Sequence, residues 1–155
     1  MTTTQTHVMG KDAVLARNTG TVASPVWNPI DNCRDLTLGD AMTEVDVSAR
    51  DGGGFNMVDV ALQSLELSFQ MVGDYADADF VALQTAYWAR SVVLIATASG
   101  TIATSGTQYV KMAAKITKFE KGEELDGVTM WDITIKPTRA KESSTIILPT
   151  WVTVP

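Results

Sequence analysis

The sequence predicts a mainly β domain carrying a single α-helix. Apolar and polar residues alternate in several extended runs, most clearly over 61–72. Only one window, 76–90, changes to a three- and four-residue period. Gly, Pro and Asp clusters break the chain between these segments, as turns require.

Taken in order, residues 1–7 are polar and Thr-rich and have little to bury, so they read as a flexible leader. The folded domain is placed at 8–137, and 138–155 reads as a C-terminal extension. A first strand is expected over 8–17. Residues 18–31 contain Gly20, Pro25 and Pro29 and turn repeatedly, with Trp27 and Ile30 available to pin the turn to a core. The next piece, CRDLTLGDAMTEVDVSAR, reads as two short extended runs broken at Gly39-Asp40. In the second run Thr43, Val45 and Val47 alternate with Glu44, Asp46 and Ser48, which gives one drier and one wetter face.

Gly52, Gly53 and Gly54 follow, flanked by Arg50, Asp51, Phe55 and Asn56, and mark a hairpin tip near 49–56. The strand after the tip places Leu65, Leu67, Phe69 and Met71 on one face and Ser64, Glu66, Ser68 and Gln70 on the other. Such a strand covers a core with one face and meets water with the other. The helix is expected near 77–90, with Phe80, Leu83 and Tyr87 on its buried side, Asp77 as cap and Arg90 at its C-terminal end. VVLIATAS, YVKMAAKITKFEK and GVTMWDITIKP supply three more strands, the last ended by Pro137, which has no N–H to donate. In the extension, Ile146, Ile147, Leu148, Trp151 and Val152 are too apolar to stay in water and must pack on something.

Composition narrows the function. The chain of 155 residues has 45% hydrophobic and 19% charged residues, enough for one core. Its 12 basic and 18 acidic residues give a net charge of −6 without a dense Lys/Arg cluster, unlike a protein that grips nucleic acid through phosphates. One cysteine, Cys33, excludes an internal disulfide. The N-terminus lacks the basic and apolar regions of a signal peptide, and no run of about 18 apolar residues exists. Catalytic triads, Cys–His pairs and His-rich metal sites need several such residues, whereas His7 and Cys33 stand alone. Asp77/Asp79 fits a helix start and Glu123/Glu124 a solvated turn. The glycine run is followed by an alternating strand rather than the helix that a phosphate loop needs. No cofactor, metal site or catalytic residue is expected, and the chain reads as a non-enzyme.

The order of features resembles the tail tube proteins of long-tailed bacteriophages. A tryptophan turn, Val26-Trp27-Asn28-Pro29-Ile30, precedes a segment ending in Asp40. Val45-Asp46-Val47-Ser48-Ala49-Arg50-Asp51-Gly52-Gly53-Gly54-Phe55 is similar to the V-D-x-T/S-x-R-x-x-G-aromatic stretch of such subunits, with Ser48 where many relatives carry Thr. Ala76 to Leu83 resembles their A-x-x-D-F-x-A-L helix core, and Lys136-Pro137 their closing strand. The resemblance covers about 10–137 and implies a β-sandwich flanked by one helix. Its long strands would join neighbouring subunits into a ring-shaped β-barrel, with rings, hexameric by expectation, stacked around a DNA channel. It implies that the partners are further copies of the chain and other tail proteins, such as a tape measure, a tail terminator and a baseplate or tip. DNA would transit without tight binding, and the protein would belong to the virion tail after assembly in the host cytoplasm. Glu44, Asp46, Ser48, Ser64, Glu66, Ser68 and Gln70 are the expected lumen lining. Arg50, Asp51, Gly52, Gly53, Gly54, Phe55 and Trp151 are the expected contacts between subunits or rings. Lys111, Lys115 and Lys136 are expected to be neutralised by cross-strand acids. Competing readings are a tail terminator, a head decoration protein and a β-sandwich binding module outside viruses.

Overall fold

The computed structural model describes residues 10–123, 125–142 and 145–155. Ten strands and one α-helix follow one another. They are β1 (Val14–Asn18), β2 (Trp27–Pro29), β3 (Cys33–Asp46), β4 (Val58–Val72), α1 (Ala78–Ala89), β5 (Val93–Ala98), β6 (Gln108–Gly122), β7 (Met130–Pro137), β8 (Ala140–Glu142), β9 (Thr145–Ile147) and β10 (Thr150–Thr153). The expected leader, residues 1–7, lies outside the described residues, as does Glu124.

Eight strands form one antiparallel sheet in the order β2-β1-β5-β6-β7-β4-β3, with β10 added on β6, while β8 and β9 pair separately. All eight strands are joined by hydrogen bonds into one continuous sheet. The reason is β6, 15 residues long, which serves two sets of neighbours. Its first half pairs with β5 over 109–114, and its second half pairs with β7 over 114–122. β10 takes 108–111 on the edge opposite β5, end to end with β7. Residues 115–122 of β6 therefore have no strand partner on the β5 side among the described residues. The sheet does not close on itself there, and β2 and β3 are its end strands.

The core lies on one face of this sheet. Leu67, Phe69 and Met71 of β4, Ile133 and Ile135 of β7, and Met112, Ala114 and Ile116 of β6 point into it, with Leu15 and Ile95 from the other strands. Phe80 and Leu83 of α1 close it and are fully buried. Ring contacts bind helix to sheet: Phe80 meets Trp131 at 5.7 Å, and Tyr87 stacks on Phe119 at 5.5 Å. Such aromatic pairs each contribute about 0.5–1.5 kcal/mol beyond area burial.

Local chemistry fixes the helix. Asp77 caps it by accepting a 2.8 Å hydrogen bond from the Asp79 N–H. Arg90, in the left-handed region at φ 54°, ends it by donating its backbone N–H to Ala86 and Tyr87 carbonyls. Asp79 also ties three elements together. It accepts from the Arg17 guanidinium at 2.7 Å and from Asn28 Nδ2 at 2.9 Å, and the ion pair is mostly shielded.

Two strand expectations are corrected. The first strand starts at Val14 rather than at 8, because Gly10–Asp12 forms a 3-10 turn. β3 runs unbroken through Gly39-Asp40, where Gly39 pairs with Glu66 and Asp40 with Leu65. The irregularity comes earlier, at a bulge between Arg34 and Thr37 where Asp35 takes φ 54°. In the extension, the polar segment and Ile146-Ile147 make the small β8–β9 hairpin. The final apolar residues add β10 to the sheet.

Candidate functional site

β3 and β4 form a hairpin whose two ends differ. Near the base, Leu67, Phe69 and Met71 are buried in the core. From Leu62 outward no residue of either strand is buried. This distal half nevertheless carries Met42, Val45, Val58, Val60 and Leu62, the last 77% exposed. A monomer rarely presents so long an apolar arm to water. The outer edge of β3 is also unpaired over its 14 residues among those described. Open edges of this length invite another strand.

At the tip, Arg50–Gly52 make a 3-10 turn, and Gly53 and Gly54 follow at φ 65° and 82°. Those left-handed angles need glycine. Phe55 stands 75% exposed beside them. Trp151, from the far end of the chain, lies on β10 opposite Val110 and is also exposed, so it is not at the tip.

The residues expected to share one lumen face do not all share it. Directly paired residues of an antiparallel ladder lie on the same side. Ser64, Ser68 and Gln70 pair with Ala41, Thr37 and Arg34, and Glu66 pairs with Gly39. These four β4 side chains stand opposite the core, with Asp132, Thr134 and Lys136 of β7 beside them. Met42 pairs with Gln63, on the core-facing side. A second bulge then places an extra residue in β4 between Val60 and Gln63, while β3 continues regularly. Glu44 and Asp46, at two-residue steps from Met42, therefore stay on the core-facing side together with Asp40, away from Glu66. Gln63 Nε2 donating to both Asp40 carboxylate oxygens at 2.8 and 2.7 Å agrees with that face. Ser48 lies past the end of β3 and braces the tip. Its hydroxyl meets Asn56 Oδ1 at 2.9 Å and accepts from the Met57 N–H. The nearby Ser48 hydroxyl, and then the Ser48 N–H that donates to Asp46 Oδ1 at 2.8 Å, hold the Asp46 carboxyl below the usual carboxylate range.

The polar face is a wall of four strands, β3-β4-β7-β6. Lys136 Nζ reaches Glu66 Oε2 at 2.8 Å, Gln70 Nε2 donates to Asp132 Oδ1 at 2.8 Å, and Lys118 Nζ reaches Glu120 Oε2 at 2.7 Å. In this middle section Glu66, Glu120 and Asp132 meet Lys115, Lys118 and Lys136, three acids for three lysines. These six charges balance, Arg34 adds a cation opposite Gln70, and the acidic surplus lies elsewhere, notably on Asp40, Glu44 and Asp46. Of the lysines expected to be neutralised, Lys136 is paired. Lys111 and Lys115 make no ion pair among the described residues.

Two other features bear on chemistry. Cys33 is half-buried and donates to the Ile30 carbonyl at 3.1 Å, and burial, then the Asp31 charge, pushes its thiol pKa up. That is the opposite of an activated thiolate. No group of three or more His, Cys, Asp or Glu side chains able to hold a metal occurs among the described residues.

Sequence reading passed over the outer face of α1. Val81 and Trp88 are exposed there, Trp88 at 75%, and Thr85 completes an uncharged stripe. The signal was present: Asp79 is the sole charged residue of 78–89, whereas the outer face of a surface helix is ordinarily charged.

No protein-family model and no curated protein matches this sequence. Solved structures do. The tail of an empty gene transfer agent particle, refined with C6 symmetry, superposes with a TM-score of 0.67 at 18% identity, covering 85% of this chain and 95% of that one. The SPP1 tail tube gives 0.69 at 13% identity, covering 95% and 80%. The sheath-tube complex of an extracellular contractile injection system gives 0.63 at 8% identity, covering 97% and 95%. The chain therefore has the fold found in phage tail tubes and in the tubes of related particles.

Proposed function

We propose that this protein is a structural virion subunit that polymerises as stacked, hexameric rings into the tail tube of a bacteriophage. In this reading the β3–β4 arms and the rest of the polar wall join side by side into a barrel. The observation that carries it is the arm: one continuous hairpin, packed at its base, exposed and apolar on its outer half, with an open edge. Neighbouring copies supply what the monomer lacks. Barrel closure removes sheet edges, and burial of the arm removes its apolar surface from water. A strand of 15 residues spans about 50 Å at ~3.3 Å per residue, enough to line one ring and overlap the next.

The wall of Ser64, Glu66, Ser68 and Gln70 with its β7 and β6 neighbours then faces the channel. Its three lysines are balanced in number by three acids and Arg34 lies beside Asp35, so a passing DNA meets no strongly cationic surface to hold its phosphates. Glu44 and Asp46 serve the subunit contacts instead. The glycine tip with Arg50, Asp51 and Phe55, the leader and the C-terminal extension with Trp151 join ring to ring. Further partners are the tape measure, tail terminator and baseplate or tip. The protein works in the virion tail after assembly in the host cytoplasm, and performs no catalysis.

Negative-stain microscopy of the purified full chain tests this. Filaments of stacked rings with a central channel are expected as concentration rises. A monomer at every concentration overturns the proposal, and single rings that never stack replace it with a terminator-like role.

A further inference from the structure

Resting on the ring reading, we propose where one copy meets the next: β3 of one subunit adds to the open edge of β6 of its neighbour, and Arg90 and Trp88 of that neighbour receive the acidic outer face of β3. Two long edges of the polar wall are unpaired among the described residues, that of β3 at one end and residues 115–122 of β6 at the other. The wall has four strands of alternating direction. Rotation about a ring axis keeps each strand's direction. β3 of one copy therefore meets β6 of the next antiparallel, and the polar faces run on without a break.

Charge selects the same joint. On its core-facing side β3 carries Asp40, Glu44 and Asp46, and none of them has an ion pair among the described residues. α1 lies on that same side of the sheet, over β6. At its C-terminal end a groove beside the open β6 edge is lined by Tyr87, Trp88, Arg90, Ser91 and Ile116. Arg90 is exposed, has no ion pair among the described residues, and is held by its backbone as the helix cap. Trp88 offers an uncovered ring next to it. A strand arriving at the β6 edge brings the acids of its core-facing side, Asp40 first, toward Arg90 and Trp88, because the ladders put Leu38 level with Ile116. The arginine then does for the joint what no cation among the described residues of the same chain does: it offsets the acids of the arm. Opposite charges across an interface fix register and suppress wrong pairings.

The test uses the full chain and measures the concentration at which tubes form, by light scattering and microscopy, with circular dichroism confirming the fold of each variant. Arg90→Glu is expected to raise that concentration by about tenfold or more, and adding Asp40→Arg or Glu44→Arg to it to restore assembly. Trp88→Ala, at a position exposed in the monomer, is expected to weaken assembly without changing the melting temperature. Arg90→Glu tubes that form like those of the unaltered chain overturn the joint, as does failure of both reversed pairs. If Arg90→Glu does not fold, Trp88→Ala decides alone, and normal assembly by it overturns the joint. An unaltered chain that never forms rings sinks the ring reading itself, which is a different result from tubes indifferent to Arg90.

Discussion

The two halves of β4 share one backbone and one hairpin partner, yet they differ in what completes them. Over 65–72 the odd-numbered side chains Leu67, Phe69 and Met71 enter a core built by the same chain. Over 58–64 the residues are equally rich in Val and Leu, but nothing among the described residues buries them. The first half is a folding element and the second is an assembly element. A hairpin of this kind folds at its base and acquires its outer half's partners by association. Alternation alone does not tell a strand's folding part from its assembly part; what covers it does.

The contrast can be broken from either side. The largest effect is expected at the base: Phe80→Ala or Leu67→Ala should cost about 2–5 kcal/mol in denaturant unfolding, because each leaves a cavity in a fully packed site. Next, Asp79→Ala should cost about 2–4 kcal/mol, since it strands the shielded Arg17 guanidinium and frees Asn28. Gly73→Ala should cost about 1–3 kcal/mol in thermal unfolding. A methyl there would stand 2.7 Å from Trp131 Nε1, in a core whose rings have little room to move. On the distal half the expectation reverses. Leu62→Ser should change monomer stability by less than about 0.5 kcal/mol while abolishing filaments in the microscope. Smallest of all is Cys33, whose raised thiol pKa should make maleimide labelling at neutral pH about tenfold slower in the folded chain than in denaturant.

Much of this was legible in the sequence. The β4 faces followed from alternation because its apolar residues are large and its polar ones small or charged. The helix followed from Phe80, Leu83 and the Asp77 cap, which together leave few alternatives. Faces of β3 were a different matter. Its alternation is plain, but which side turns inward depends on pairing, and one extra residue in β4 sets that pairing for Glu44 and Asp46. Nothing in the local pattern of 58–63 announces the bulge. Gly39 suggested a break because a glycine weakens a strand, whereas the ladder to β4 holds it extended. The single sheet escaped for a related reason. That β6 serves β5 with one half and β7 with the other is a matter of distant pairing, and periodicity reports only local geometry. Trp88 falls inside the helical window, and its exposure follows from Phe80 and Leu83 taking the inward side.

The paired bulges of the hairpin carry a consequence for how the arm tolerates change. One adds a residue to β3 between Arg34 and Thr37, the other adds one to β4 between Val60 and Gln63, so each offsets the other and the strands regain step beyond both. Deleting Asp35 alone would put Arg34 and Thr37 two residues apart, in step with Gln70 and Ser68, so Asp40 would keep its side and its bond to Gln63. A bulge is therefore where this arm can shed a residue without turning a side chain over, whereas a deletion inside the regular ladder of 37–42 sends the residues beyond it to the opposite face.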